Sequence, residues 1–334
     1  MDRKEILQDW LHQVLPSEAL ELTTASADAS FRRYFRVHLN GRSLIAMDAP
    51  PPQEDCRPFV HVAEVLKQAG LNVPEVIAHD YELGFLLLSD LGDETYLKAL
   101  NEDTADELYR DAVGALIKMQ TASSPATFPQ YDEALLTYEM RLFPEWYVGR
   151  HLNIKLSDAE DQVLNQAFEL LNRNILAQTK VYVHRDYHSR NLMVCRGDEG
   201  ENPGVLDFQD AVYGPITYDL VSLFKDAYII WEEERVLDWV IRYWQAARGA
   251  GLAVPTDFAD FYRDFEWMGV QRHIKILGIF SRLYYRDGKA GYLKDMPLVM
   301  DYLRRACARY IELRPLLRLL DKLENNQPQV GYTF

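Results

Sequence analysis

The chain has 334 residues, enough for a sizeable core and, by length, about two domains or lobes. Asp plus Glu number 51 against 36 Lys plus Arg, a formal charge of −15, and a diffuse acidic surface repels nucleic acid and anionic membranes. Cys56, Cys195 and Cys307 lie far apart with no CxxC pair, and the longest apolar runs, 84–88 and 274–280, fall well short of the ~20 residues that span a bilayer. The first ten residues lack the apolar core of a signal peptide, so the expectation is a reduced, cytoplasmic protein.

In chain order, residues 2–15 predict a helix, with Ile6, Leu7, Trp10, Leu11 and Val14 at helical spacing. Residues 31–39 and 43–47 predict strands joined at Asn40-Gly41, a dipeptide that favours tight hairpin turns. Three prolines, 50–52, end the second strand. Residues 59–69 form an amphipathic helix stopped by Gly70. Two more strands are predicted at 76–79 and 85–88. From Glu94 onward helical periodicity dominates, over 103–120, 137–150, 158–178, 218–228, 232–249, 258–285 and 298–322. One β segment, 181–208, interrupts it, and the tail from Glu324 is polar. The expected class is α+β: a small N-terminal lobe (1–92) of antiparallel sheet with one main helix, and a large, mostly helical C-terminal lobe (93–334).

The chemistry concentrates in 181–210. A β run at 181–183 ends in His184-Arg185-Asp186. Asn191, five residues after Asp186, opens a second run at 192–195. A polar turn leads to a third run, 204–206, that ends in Asp207. Carboxylate, amide and carboxylate therefore stand at the ends of short strands, fixed in place yet open to a cleft. Phosphoryl transfer requires such a set. One carboxylate orients or accepts the proton of the acceptor hydroxyl, while an Asn and an Asp hold Mg²⁺ against the phosphates of ATP. H-R-D-x-x-x-x-N followed by a metal-binding Asp is the kinase arrangement. Asp186 is thus the candidate catalytic residue, Asn191 and Asp207 the candidate metal ligands, and ATP and Mg²⁺ the expected cofactors. Any one of the three alone would pass for a surface polar residue at a turn; the joint spacing carries the signal.

This segment resembles the aminoglycoside phosphotransferase and choline kinase family, relatives of the protein kinases. The likeness covers most of 20–285 and is strongest in 181–224. It implies a protein-kinase-like two-lobe fold. Tyr218-Asp219-Leu220 matches a family pattern whose Asp supports the catalytic loop, which implies a structural role for Asp219. L-L-L-S-D-L-G at 86–92 resembles the family's interlobe hinge, implying adenine recognition by backbone from Leu88 to Asp90. Asp28-Ala29-Ser30 with Arg32 and Arg33 resembles the loop that covers the ATP phosphates. More narrowly, R-R-Y-F-R at 32–36, M-D-A-P-P at 47–51, H-R-D-Y-H-S-R-N-L-M at 184–193 and L-D-F-Q-D-A at 206–211 resemble the bacterial anomeric kinases of N-acetylmuramate and N-acetylglucosamine. That resemblance implies a cytoplasmic enzyme of peptidoglycan recycling that moves the γ-phosphate of ATP onto the anomeric hydroxyl. The residues themselves point only to a kinase.

One departure stands out. In most of the wider family a strand Lys contacts the α- and β-phosphates and pairs with a Glu on the next helix. Here that strand reads Leu44-Ile45-Ala46-Met47-Asp48, so Met47 or Asp48 takes the Lys position, and Phe59 falls near the Glu position. Joint loss is coherent, since a buried Glu without its Lys would cost ~3–5 kcal/mol. Arg33 or Arg32 is then expected to meet the phosphates, the two pointing to opposite faces of an extended strand. A catalytically inactive nucleotide-binding pseudokinase is the contrary reading, and the intact Asp186, Asn191 and Asp207 speak against it.

Candidate acceptor residues are Tyr187 and His188, Asp210, Trp146 and Arg150, and Arg272 with its neighbours Gln271, His273 and Lys275. Aromatic faces suit sugar rings and buried polar groups confer hydroxyl specificity. The carboxylate of N-acetylmuramate needs a local cation, for which Arg272 and Arg150 are rivals. Another kinase of the same family, acting on an aminoglycoside or other alcohol, is the second reading. The expected partners are ATP and a small sugar, with no nucleic acid, no membrane and no second subunit.

Overall fold

The computed structural model describes residues 2–15, 20–27, 31–39, 41–196 and 200–325. The expected phosphate-loop residues 28–30, Ser30 among them, the turn residue Asn40 and the end of the polar tail lie outside the described residues. Contacts divide the chain into two compact units, Met1–Met119 with Arg190–Ala211, and Gln120–Ser189 with Val212–Phe334. The change of sequence pattern at 89–93 falls inside the first unit.

In the first unit, α1 (Arg3–Val14) precedes three strands, β1 (Glu21–Ala27), β2 (Arg33–Leu39) and β3 (Arg42–Asp48). Then come α2 (Arg57–Gln68), β4 (Val76–Asp80), β5 (Phe85–Ser89), α3 (Tyr96–Ala99) and α4 (Ala105–Thr121). The strands form one sheet in the order β1-β2-β3-β5-β4, with every pair antiparallel. β1 was not expected. Leu22 is its single large apolar residue, and an edge strand needs to bury little. The period of two sets the faces of β2 and β3. Phe35, Val37, Leu39, Leu44 and Ala46, with Phe85 and Leu87 of β5, pack on Leu7, Trp10 and Leu11 of α1. Each such buried side chain contributes about 1.5–3 kcal/mol relative to exposure. The sheet therefore carries α1, and α2 buries Phe59, Val62, Ala63 and Leu66 along one stripe.

The strands β6 (Lys180–Val183), β7 (Leu192–Met193), β8 (Gly204–Val205) and β9 (Val212–Pro215) follow the order expected for the chemical segment, with β9 additional. β7 pairs with β8 in the first unit, and the Val205 N–H donates to the Asn72 carbonyl at 2.8 Å. β6 pairs with β9 in the second. The chain thus passes from the second unit to the first between Ser189 and Arg190, and back after Ala211.

The second unit is helical: α5 (Glu133–Leu142), α6 (Asp158–Ala177), α7 (Tyr218–Phe224), α8 (Glu233–Gly249), α9 (Phe258–Asp287), α10 (Met296–Arg309) and α11 (Arg314–Leu323). The helix expected over 137–150 becomes π-helical from Phe143 to His151. Pro144 has no N–H to continue the α ladder, and its ring would strike the Met140 carbonyl. The helix expected over 298–322 is broken at Tyr310, which is extended, because Pro315 cannot donate within a continuous helix. The centre of α9 has no solvated face. Every residue from Phe265 to Gly278 is buried, including Gln271, Arg272, His273 and Lys275, so α9 is a central helix that must pair its polar groups internally. Among the described residues no helix is long and apolar enough to cross a membrane.

α9 can approach Leu142 because position 278 is glycine: a Cβ there would lie 2.4 Å from the Leu142 carbonyl carbon. Gly278→Ala is therefore expected to destabilise by at least the ~1–3 kcal/mol of overpacking, against a helix-propensity gain of about 1 kcal/mol. Urea denaturation would measure this, and an unchanged or raised midpoint would contradict the close packing.

Candidate functional site

Asn191 and Asp207 come together in the first unit. β7 and β8 are joined beyond their short ladder by the Leu206 N–H, which donates to the Asn191 carbonyl at 2.9 Å. That bond sets Asn191 beside the strand end carrying Asp207, and Asn191 Nδ2 lies 3.3 Å from Asp207 Oδ2. Gln209 Nε2 donates to the other carboxylate oxygen at 2.8 Å. Asp207 has φ +61°, in the left-handed region. For a non-glycine residue that costs ~1–3 kcal/mol and occurs where surrounding structure enforces it.

The two arginines separate as strand alternation requires. Arg32, with its side chain 11% exposed, has Nη2 3.8 Å from Asp207 Oδ1 and Nε 3.9 Å from Glu54. Arg33 turns the other way, donating through Nε to Asp48 at 3.0 Å, where Arg3 of α1 also donates through Nε at 3.0 Å. Asp48 is fully buried and follows Met47 at the end of β3, the two positions at which the family Lys was expected. Of those two positions, Asp48 is an acid held between two arginines. Phe59, near the expected Glu position, instead packs its ring on Phe208 with centroids 4.7 Å apart.

In the hinge segment, Leu88 is buried in β5. The Asp90 carboxylate is clamped by Arg36, at 2.6 Å from Nε and 3.1 Å from Nη2, and accepts from the Gly92 N–H. Its side chain is therefore committed to shaping this segment. Asp210 is exposed.

The second unit holds Asp186. The loop from His184 is gripped by Asp219, which accepts the His184 N–H at 2.6 Å and the Arg185 N–H at 2.9 Å. Complete burial pushes the Asp219 carboxyl up to about 7, against those two bonds. Arg185 has φ +76°, a second left-handed residue within the motif. Its guanidinium reaches Glu139 at 2.5 Å, and Lys275 of α9 reaches the same oxygen at 3.1 Å. Burial alone would raise the Glu139 carboxyl, but the Lys275 and Arg185 charges hold it below the usual range. Lys275 Nζ and Arg272 Nη1 converge on the Tyr218 hydroxyl at 2.7 and 3.0 Å, and Arg272 also donates to the Arg185 carbonyl at 2.7 Å. Arg272 Nη2 lies 3.7 Å from Asp186 Oδ1. Desolvation would raise the Asp186 carboxyl, but Lys275, Arg272, His188 and Arg185 together hold it far below its ordinary value.

The other acceptor candidates are dispersed. Tyr187 is fully buried, edge-on to His184. The His188 ring meets Tyr228 edge-on at 5.4 Å. Trp146 is half-buried and Arg150 exposed on the π-helix. His273 faces elsewhere, stacked on Tyr302, with burial pushing its imidazole down to about 3. Two further acids, Glu139 and Asp226, carry no signal in the sequence. Glu139 lies in an ordinary amphipathic stretch, and its burial depends on α9 packing against α5. Asp226 follows α7 and ends it: its carboxylate takes the Ser189 N–H at 3.0 Å and the Tyr228 N–H at 3.1 Å, which is why the helix expected to reach 228 stops at Phe224.

Comparison with known proteins identifies the family and the fold. The phosphotransferase enzyme family matches residues 21–257. An N-acetylmuramate/N-acetylglucosamine kinase of Neisseria meningitidis serogroup B is 48% identical over 340 residues, covering 100% of each chain. Among solved structures, the choline kinase LicA of Streptococcus pneumoniae superposes with TM-score 0.63 at 13% identity, covering 92% of this chain and 99% of that one. The ADP-bound aminoglycoside phosphotransferase APH(2″)-Ib does so with TM-score 0.56 at 14% identity, covering 89% and 97%. The chain belongs to the phosphotransferase enzyme family and has its protein-kinase-like fold.

Proposed function

We propose that the protein is an ATP-dependent sugar kinase that transfers the γ-phosphate to the anomeric hydroxyl of N-acetylmuramate and N-acetylglucosamine, in the cytoplasm, as a step of peptidoglycan recycling. The kinase activity on N-acetylmuramate and N-acetylglucosamine for which the 48%-identical relative is named supports the sugar. The observation that carries the reading is the cationic surround of Asp186. With Asp219 pushed toward its neutral form, Lys275, Arg272 and Arg185 face two firmly ionised carboxylates, Glu139 and Asp186. That surround suits a neutral or anionic acceptor and opposes the polycationic aminoglycosides. It also leaves Asp186 a weak base. An anomeric hydroxyl is more acidic than an ordinary alcohol because the ring oxygen withdraws electron density, so a weak base positioned to take its proton late in a loose transition state is sufficient.

Asp186 is assigned the acceptor proton, and Arg272 the carboxylate of N-acetylmuramate. Asn191 and Asp207 are assigned the magnesium ion. Among the described residues no three His, Cys, Asp or Glu side chains form a metal-holding group. One carboxylate beside one amide nevertheless fits Mg²⁺, which takes few protein oxygens and keeps waters and phosphate oxygens as its other ligands. When bound, the ion neutralises phosphate charge. Arg32, beside Asp207, is assigned the phosphates, and the backbone from Leu88 to Asp90 the adenine edge. Arg33 is assigned to Asp48.

Phosphorus NMR after incubation with Mg-ATP and N-acetylmuramate should show a glycosyl 1-phosphate, and Asp186→Asn should lower kcat about 10²–10⁴-fold. A 6-phosphate product, or an unimpaired variant, would refute the assignment. Arg32→Met should raise the KM for ATP about 10–100-fold, as for loss of a charge-assisted hydrogen bond of ~1.5–3 kcal/mol, while Arg33→Met leaves that KM in place and lowers stability. The reverse pattern would exchange their roles.

Asp219 predicts a pH dependence. Its folded carboxyl titrates near 7 and its ordinary value is 3.8, so between these the folded protein holds a proton that the unfolded chain releases. The resulting stabilisation is complete below the lower value, declines as pH rises, and is gone above the upper one. Relative to Asp219→Asn, the wild-type unfolding free energy should therefore fall between about pH 5 and 7 with a slope of about 1 kcal/mol per unit. Parallel curves for the two proteins would exclude the shift.

A further inference from the structure

An aromatic strip starts beside Asp186 and runs outward through the second unit. The His188 N–H donates to the Asp186 carbonyl at 3.0 Å. From the His188 ring the centroid separations are 5.4 Å to Tyr228, then 6.4 Å to Phe280 of α9, then 5.0 Å to Tyr292. Phe280 is buried and serves as the floor, while Tyr228 and Tyr292 are half-buried. Tyr292 sits in a 3₁₀ turn, Ala290–Asp295, in which no residue is buried. The strip is registered to the loop of Asp186 by Asp226. One oxygen of that carboxylate takes the Ser189 N–H and hydroxyl, at 3.0 and 2.5 Å, and the other takes the Tyr228 N–H at 3.1 Å. Hydrophobic packing alone would not require a buried carboxylate to tie Tyr228 to the segment that carries Asp186.

We propose that Tyr228 and Tyr292 form the wall on which the acceptor lies, taking the apolar C–H face and N-acetyl methyl of an N-acetylhexosamine while His188 flanks the reacting hydroxyl. The inference rests on the sugar-kinase reading and adds the subsite that selects the ring. Flat, partly exposed aromatic rings with few rotatable bonds suit such a face.

The test is steady-state kinetics with N-acetylglucosamine and Mg-ATP on the wild type, Tyr228→Leu, Tyr292→Leu and Tyr228→Phe, together with saturation-transfer NMR irradiating aromatic protons. The leucine variants are expected to raise the sugar KM about 10-fold or more, the scale of one apolar contact in a binding pocket. Their KM for ATP should stay in place, which also reports an intact fold. Tyr228→Phe keeps the ring and should keep the sugar KM. Aromatic irradiation should transfer saturation to the sugar ring protons in the wild type and much less in Tyr228→Leu. Unchanged sugar KM and unchanged transfer in both leucine variants would overturn the wall while leaving the sugar-kinase reading intact. A wild type that phosphorylates no N-acetylhexosamine would overturn that reading, and the wall with it.

Discussion

The candidate catalytic loop depends on one buried carboxylate. Asp219 receives the backbone N–H groups of His184 and Arg185, which lets the chain turn through a left-handed Arg185 and present Asp186. A left-handed arginine is unfavourable by itself. It persists because its guanidinium is fixed to Glu139 and its carbonyl accepts from Arg272. Asp219, Glu139, Lys275, Arg272 and Tyr218 are therefore one construction. Removing one partner of such a network leaves a buried charge uncompensated, which costs more than the lost contact. The full burial of α9 follows from the same requirement: its central turns carry Arg272 and Lys275 inward, so the helix cannot have a solvated side there.

The first unit answers a different constraint. Where the wider family is expected to carry a strand Lys and a helix Glu, the two places are occupied in different ways here. At the end of β3 a buried acid, Asp48, is held by arginines from α1 and β2, which ties α1 to the sheet. At the helix position Phe59 packs on Phe208, next to Asp207. An aromatic contact carries no desolvation penalty and contributes about 0.5–1.5 kcal/mol beyond its buried area, so it can support the segment around Asp207 without a charge. Under the proposed function the cation for the phosphates comes from elsewhere: Arg32, just before β2, lies beside Asp207, while Arg33, the first residue of β2, shares Asp48 with Arg3 of α1.

Much of this was legible from local pattern. Helical spacing located most of the helices, and Asn40-Gly41 marked the β2–β3 hairpin. The spacing of Asp186, Asn191 and Asp207 led to the family. Strand alternation also required Arg32 and Arg33 to part, though not which went where, because that depends on Asp48 and on α1. What escaped was set by tertiary context or by proline geometry. β1 and β9 are too polar or too short to show a period. Pro144 and Pro315 altered helices whose apolar spacing continues through them. Glu139 and Asp226 look like surface acids in sequence; their importance comes from burial, which only the packing of α9 and the termination of α7 reveal.

Net charge is a poor guide to the local field. A chain at −15 would seem a poor host for a polyanion such as ATP or for an acidic sugar. Yet the described residues around Asp207 and Asp186 concentrate arginine and lysine: Arg32 beside the first, Arg272 and Lys275 beside the second. Coulomb interaction falls with distance and is screened by salt beyond roughly 8–10 Å, so acids spread over the surface count for little at either position. Two buried cations facing one carboxylate count for more, because they are close to it and held in place. The same cations hold Asp186 ionised and reduce its basicity. Under the proposed function, a carboxylate so constrained orients a hydroxyl and receives its proton only as the bond to phosphorus forms, which would favour acceptors whose hydroxyl is already acidic.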